Sequence, residues 1–242
     1  MSAATPSRKI GAFFDIDGTL LPAPSLEWRF VSWLEACGAL GFWQIARWSA
    51  STTSSLLTGE LSALRRNKTY LGRLPVELVD NWEASLAPDA LAAFSQGAER
   101  IAWHLQQSHR VFLISGTLAP LGEIFARRLG VGVEVQATNL EIVGGCWTGS
   151  LAGPGLSGPE KTAALIRIAD RCAISLGESF AYGNEMADLA MLESVGNPIA
   201  ANPRRRLRRI AAQRGWRIAR WNSLLPADAA GATSLHSPSE VG

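Results

Sequence analysis

At 242 residues, with 47% hydrophobic and 18% charged residues, the chain has the balance of a globular protein with a substantial core, which excludes wholesale disorder. That length suits one α/β domain, or a core domain carrying a smaller insertion. A formal charge of +2 argues against nucleic acid as a partner, although the basic residues gather late in the chain.

Residues 1–9 are short, polar and proline-bearing, with no apolar core of a signal peptide, so they read as a flexible N-terminus ahead of a soluble, cytoplasmic protein. Ile10 to Phe14 is a nearly continuous apolar run that stops at Asp15, the pattern of a buried parallel strand whose C-terminal end opens a functional loop. From about Ser25 to Gln107 the pattern is mostly helical but broken by Gly38, Gly41, Gly59, Gly72, Pro75 and Pro88. This is too much chain for one crossover helix. Residues 22–87 are therefore expected to form an inserted helical cap. Leu91, Phe94, Ala98, Ile101 and Leu105 then recur at three- and four-residue spacing, one helix face packed on a sheet.

A second strand is predicted from Arg110 to Ile114, ending at Ser115, Gly116 and Thr117. A helix over 120–129, a strand over 132–138 and a hairpin over 141–151 turning at Gly144 and Gly145 follow. Next come a helix over 159–171, a strand over 179–182 ending at Gly183 and Asn184, and a helix over 186–193. A strand over 195–200, a basic helix over 203–214 and a last strand over 216–219 complete the order. Such alternation predicts an α/β fold with a doubly wound parallel sheet, its core spanning 10–21 and 88–225. Residues 226–242, rich in Ala, Ser, Gly and Pro, are expected to be disordered. Cys37, Cys146 and Cys172 form no CxxC pair, which points away from a disulfide framework or a cysteine-built zinc site and fits a reducing compartment.

In parallel sheets ligands collect at the C-terminal strand ends, and the polar residues there are Asp15, Asp17, Thr19, Ser115, Thr117, Asn184 and Asp188. Two carboxylates at i and i+2, followed by Gly18, suit a hard cation with oxygen ligands together with an anionic substrate.

The segments FDIDGTLL at 14–21, LISGT at 113–117, GPEK at 158–161 and YGNEMADLAML at 182–192 resemble, in this order, the motifs of the haloacid-dehalogenase (HAD) superfamily. Within it the chain looks like the phosphoserine-phosphatase-like branch, subfamily IB, whose helical cap follows the first strand. The resemblance implies a phosphomonoesterase on a HAD-type Rossmannoid core with magnesium (Mg2+) as cofactor and a small phosphomonoester as substrate. Asp15 would be the nucleophile that forms an aspartyl-phosphate, and Asp17 the general acid and base, with a backbone carbonyl for the metal. Ser115, Gly116 and Thr19 would hold phosphate oxygens, and Lys161 would neutralise nucleophile and phosphoryl charge. Asp15, Asp17 and Asn184 would carry the metal, supported by Asp188 and Glu185.

One position departs from the family pattern, because Asn184 stands where the motif has a metal-binding Asp. An amide oxygen still suits a hard cation but brings no charge, so weaker metal affinity is expected, with Glu185 as a possible source of the missing charge. Three outcomes stay open: a phosphatase, a degenerate phosphate-binding domain, or a phosphotransferase. The glutamate with which phosphoserine phosphatases bind their substrate's amino group has no direct counterpart, since Pro24 occupies its place and Glu27 lies three residues on. Trp28, Trp33, Trp43 and Trp48 read first as the cap's own core, and second as an apolar-substrate or membrane-facing surface. Arg65, Arg66 and Lys68 read as a solvated helix face before cations for a substrate. The run Arg204–Arg209 reads as the outer face of a helix packing Leu207, Ile210 and Ala211 inward, with an anionic membrane or nucleic acid as the alternative. His104 and His109 receive no role.

Overall fold

The computed structural model describes residues 9–41, 68–130 and 132–225. The expectations for residues 1–8, Trp43, Trp48, Arg65, Arg66 and the tail lie outside the described residues. Strand β1 (Gly11–Phe14) is buried at every position, because a parallel strand in the middle of a sheet is covered on both faces. It lies between β2 (Arg110–Leu118) and β6 (Phe180–Gly183) in a six-stranded parallel sheet of order β3-β2-β1-β6-β7-β8. The outer strands are β3 (Val133–Thr138), β7 (Asn197–Ala201) and β8 (Arg217–Ala219). Strand order runs outward one way from β1 and resumes the other way at β6, so the loops after these two strands diverge and open a crevice at their C-terminal ends.

Alternation along the strands assigns each side chain to one of two helical layers. Phe13 and Phe112 stack at 5.3 Å on one face, over α5 (Pro159–Cys172), α6 (Leu189–Glu193) and α7 (Arg205–Gln213). Phe14 and Tyr182 stack at 4.1 Å on the other, over α3 (Ser95–Gln106) and α4 (Ala119–Leu129). Each fully buried aromatic ring of this kind contributes roughly 1.5–3 kcal/mol relative to exposure.

Three local expectations are corrected. Leu91 and Phe94 precede α3 rather than riding on it: the Phe94 amide donates to the Leu20 carbonyl at 2.8 Å, holding the chain extended until Ser95. The inward face of α3 is Gly97, Ile101 and His104, with Leu105 partly buried against the same core, so Ile101 and Leu105 of the expected set do face the sheet. Strand β2 does not stop at Ile114 but runs through Ser115 to Leu118, with a shift of register against β3 in between. The helix expected over 186–193 begins as a single 3-10 turn at Met186–Asp188 before α6.

Helix α1 (Leu26–Ala36) starts at Ser25, whose hydroxyl accepts from the Trp28 amide, and buries Leu26, Phe30 and Leu34. Phe30 meets Trp82 of α2 (Leu78–Ser85) at 5.4 Å and Trp147 at 6.2 Å, both edge-on. Trp147 belongs to the hairpin of β4 (Leu140–Val143) and β5 (Cys146–Leu151), whose turn residues Gly144 and Gly145 have φ of 58° and 76°, as a two-residue primed turn requires. Backbone bonds from Arg73 to Trp147, Trp147 to Leu74 and Val76 to Gly145 tie residues 73–76 to this hairpin. Trp33 stacks on Phe30, but Trp28 is 62% exposed and so is not part of the apolar cluster expected for these tryptophans. Among the described residues no helix is long and apolar enough to cross a membrane.

Candidate active site

At the end of β1 the Asp15 amide donates to the Tyr182 carbonyl at 3.0 Å, which locks the loop start to β6. The chain then coils tightly: the amides of Leu20 and Leu21 both donate to the Ile16 carbonyl, and Gly18 takes a φ of +85° that favours glycine. Thr19 is turned back by this coil, and its hydroxyl donates to Asp15 Oδ2 at 3.0 Å. The other carboxylate oxygen, Oδ1, accepts from Lys161 Nζ at 2.5 Å. Lys161 stands in the first turn of α5, just past Gly158, and its ammonium is shared with Asp188 Oδ1 at 2.6 Å. Asp188 Oδ2 in turn accepts from the amides of Asn184 and Glu185, each at 3.0 Å, fixing the loop after β6. Gly183 leaves room for this: a Cβ there would stand 2.5 Å from that of Asp188.

Lys161, Asp15 and Asp188 are all buried, with one ammonium serving two carboxylates. Burial, and next the charge of Asp188, push Asp15 up to about 7 against the pull of Lys161. The ionised form of Asp15 therefore depends on the Lys161 ammonium beside it. Burial works against the Lys161 charge, but the two carboxylates outweigh it and hold the ammonium above the usual lysine range. Burial also raises Asp17, whose Oδ1 accepts from the Leu26 amide at 2.7 Å.

Beside this excess negative charge one buried acceptor is unsatisfied. Asn184 Oδ1 is buried and has no hydrogen-bond partner, while its Nδ2 lies 2.0 Å from where a Cβ on Gly18 would be. Among the described residues no three His, Cys, Asp or Glu side chains form a metal cluster. The hard oxygens at hand are the Asp15 carboxylate and the unpartnered amide oxygen of Asn184, a set with few carboxylates that fits magnesium with substrate and water as further ligands.

Since Phe14 pairs with both Leu113 and Tyr182, Ser115 rises beside Asp15 at the same end of the sheet. It is buried, its Oγ accepting from the Thr117 amide at 3.2 Å. Gly116 passes so close to Leu156 that a Cβ would stand 3.0 Å from the Leu156 carbonyl oxygen. The Thr117 hydroxyl is buried without a partner. Glu185 lies at the rim, 3.7 Å from the Arg204 guanidinium.

Two groups beside the site escape the sequence pattern. Lys68, expected on a solvated face, is buried and its Nζ is 2.5 Å from Glu27 Oε1, while the Tyr70 hydroxyl donates to the same carboxylate. The Leu26 amide held by Asp17 puts this cluster next to the general-acid candidate. On the sheet face covered by α3, buried His104 bonds Tyr182 Oη at 2.8 Å and His109 Nδ1 at 2.9 Å.

A doubly wound sheet with paired aspartates after its first strand, answered by a serine on the neighbouring strand and by an ion-paired lysine in the first turn of α5, defines a hydrolase core of the haloacid-dehalogenase type. The chain belongs to the haloacid dehalogenase-like hydrolases, matching that family over residues 12–193. It is 32% identical to the phosphoserine phosphatase SerB1 of Mycobacterium tuberculosis over 215 residues, covering 86% of this chain and 69% of that one. A protein of unknown function from Bordetella pertussis Tohama I has the same fold at a TM-score of 0.72 and 26% identity, over 88% of this chain and 99% of that one. A phospho-aspartyl intermediate analogue of a phosphoserine phosphatase shares the fold at a TM-score of 0.62 and 20% identity, over 90% and 95% of the two chains.

Proposed function

We propose that the protein is a magnesium-dependent phosphomonoester hydrolase working through an aspartyl-phosphate on Asp15, with residues 22–87 as its cap. The observation that carries this is the Asp15 carboxylate itself, buried at the switch point with Lys161 on one oxygen and Thr19 on the other. Such a group is a fixed nucleophile with its charge balanced for an incoming dianion. Bound magnesium would supply positive charge to the phosphoryl oxygens, held by Asp15, the Asp17 carbonyl and Asn184.

Asp15 attacks phosphorus as the ester P–O bond breaks, and the leaving oxygen takes the proton of Asp17. Burial keeps that proton available by raising Asp17, while the Leu26 amide holds its Oδ1 and leaves the other oxygen to deliver it. In the second half Asp17 takes a proton from water, which attacks the phosphorus, releasing phosphate and restoring Asp15. Lys161 neutralises charge throughout, and Ser115 with the Gly116 amide receives the transferred phosphoryl oxygens. Thr19 serves here as the residue that aims Asp15. The relative named phosphoserine phosphatase supports an amino-acid phosphate as one candidate substrate, and the protein is read as cytoplasmic.

Asn184 favours a second reading, a phosphate-binding domain without turnover. Hydrolysis of p-nitrophenyl phosphate across magnesium concentrations separates the two. Activity that vanishes in Asp15→Asn and needs less magnesium in Asn184→Asp supports the hydrolase; an inert wild type awakened by Asn184→Asp supports the degenerate domain. Acceptance of the phosphoryl group by an added alcohol in place of water would identify a phosphotransferase.

A further inference from the structure

Charge is divided unevenly over this molecule. Residues 204–220 hold eight arginines and no acidic residue, leaving 15 basic against 21 acidic residues in the rest of the chain. The structure collects these arginines on one edge, formed by α7 and the outermost strand β8. Arg204 and Arg214 reach Glu185 and Glu193. Arg205, Arg206, Arg208, Arg209, Arg217 and Arg220 are exposed, and none pairs with an acidic side chain among the described residues.

The apolar stripe of α7 is already used: Leu207 and Ala211 are fully buried in the layer that also contains Ala200 and Leu165. The helix therefore cannot roll its stripe into a partner and offers only guanidinium groups. Two features of the edge choose among polyanions. Its aromatic rings are spoken for, since Trp216 lies under the Arg214 guanidinium at 5.1 Å and Trp221 is buried, so no free ring remains for bases to stack on. Beside the arginines of β8, Ile218 is 37% exposed, a small apolar element of the kind that suits a headgroup layer.

We propose that this edge is a docking surface for an anionic membrane, held by electrostatic attraction to acidic lipid headgroups without insertion of a helix. The Arg204 amide donates to the Asn184 carbonyl at 2.7 Å, so the surface begins at the rim of the candidate active site and runs away from it down the sheet edge. Docking here leaves the crevice beside the lipid surface rather than facing away from it. The inference does not depend on the hydrolase reading, because it rests on charge and exposure alone.

The test is co-sedimentation of the full chain with phosphatidylcholine vesicles, with and without about a third phosphatidylglycerol. The wild type is expected to sediment only with the anionic vesicles and to be released as salt rises from about 0.05 to 0.5 M. Changing Arg205, Arg206, Arg208 and Arg209 together to Gln should lower the partition coefficient on the order of 100-fold or more, at about 1 kcal/mol for each charge near the surface. Thermal unfolding by circular dichroism should stay unchanged in that variant, which keeps the result independent of folding and of catalysis. Equal binding to neutral vesicles, or undiminished binding by the folded quadruple variant, overturns the proposal. Failure to bind vesicles, with salt-sensitive binding to duplex DNA of arbitrary sequence, also overturns it and makes nucleic acid the partner.

Discussion

At the scale of single residues, the site is a chain of obligations around one ammonium. Lys161 holds Asp15 and Asp188, and Asp188 holds the loop that carries Asn184. Lys161→Met removes the shared cation and strands two buried carboxylates, so it should cost about 3–5 kcal/mol in urea unfolding as well as nearly all hydrolysis. An unchanged unfolding midpoint would mean that the ion pairs contribute nothing net. Gly18→Ala attacks the same site by shape: the φ of +85° costs about 1–2 kcal/mol for a side-chain-bearing residue, and the new Cβ would strike Asn184 Nδ2. The amide must swing away and take Oδ1 with it. Half-saturation of hydrolysis by magnesium should then rise at least about tenfold, the usual scale for displacing a metal's supporting group. Asp15, Asp17, Ser115, Lys161 and Asp188 were legible in sequence because each ends an apolar run or sits in an ordered motif. Glu27 and Lys68 were not, since only the fold brings together two charges 41 positions apart.

At the scale of elements, the apolar runs predicted most strands well because burial on both faces leaves an unbroken pattern that no surface strand shows. Element boundaries slipped where a tertiary hydrogen bond overrode local preference, as at Phe94 and along β2 beyond Ile114. The packing of α3 on β6 hides a titration that periodicity gave no sign of. His104 is buried against Phe14, Phe180 and Tyr182, and burial, followed by the charges of His109 and Arg100, drives it down to about 3. The unfolded chain protonates this imidazole near pH 6.5 and the folded one does not, so the unfolded state binds more protons between pH 3 and 6.5. Stability from this residue is therefore complete above about pH 6.5 and is lost as pH falls, by up to about 1.4 kcal/mol per pH unit. His104→Phe keeps a ring in the aromatic cluster and removes the titrating group. Urea unfolding at several pH values should show a flatter acid limb in this variant, with lower stability at pH 7 from the unpaired Tyr182 hydroxyl; an identical slope would place the acid sensitivity elsewhere.

At the scale of the whole molecule, metal binding and folding draw on the same charge balance. Three buried ionisable groups carry one positive and two potential negative charges, and the sheet holds them together whether or not a cation joins them. Asn184→Asp would add a further carboxylate at a position where a buried acceptor already lacks a partner. In a chelator this extra charge has no cation to answer it, and like charges around Lys161 should lower the melting temperature relative to the wild type. With saturating magnesium the order should reverse, because a ligand that binds only the folded state stabilises it by RT ln(1 + [L]/Kd), and a lower Kd raises that term. A tenfold gain in affinity is worth about 1.4 kcal/mol at a fixed excess of metal, enough to move the midpoint by about 3–6 °C in a domain of this size. Differential scanning calorimetry of both proteins in chelator and in magnesium measures this crossing without turnover. Parallel curves, with the same metal-induced shift in wild type and variant, would show that residue 184 does not contact the cation and that Asp15 and Asp17 hold it by themselves.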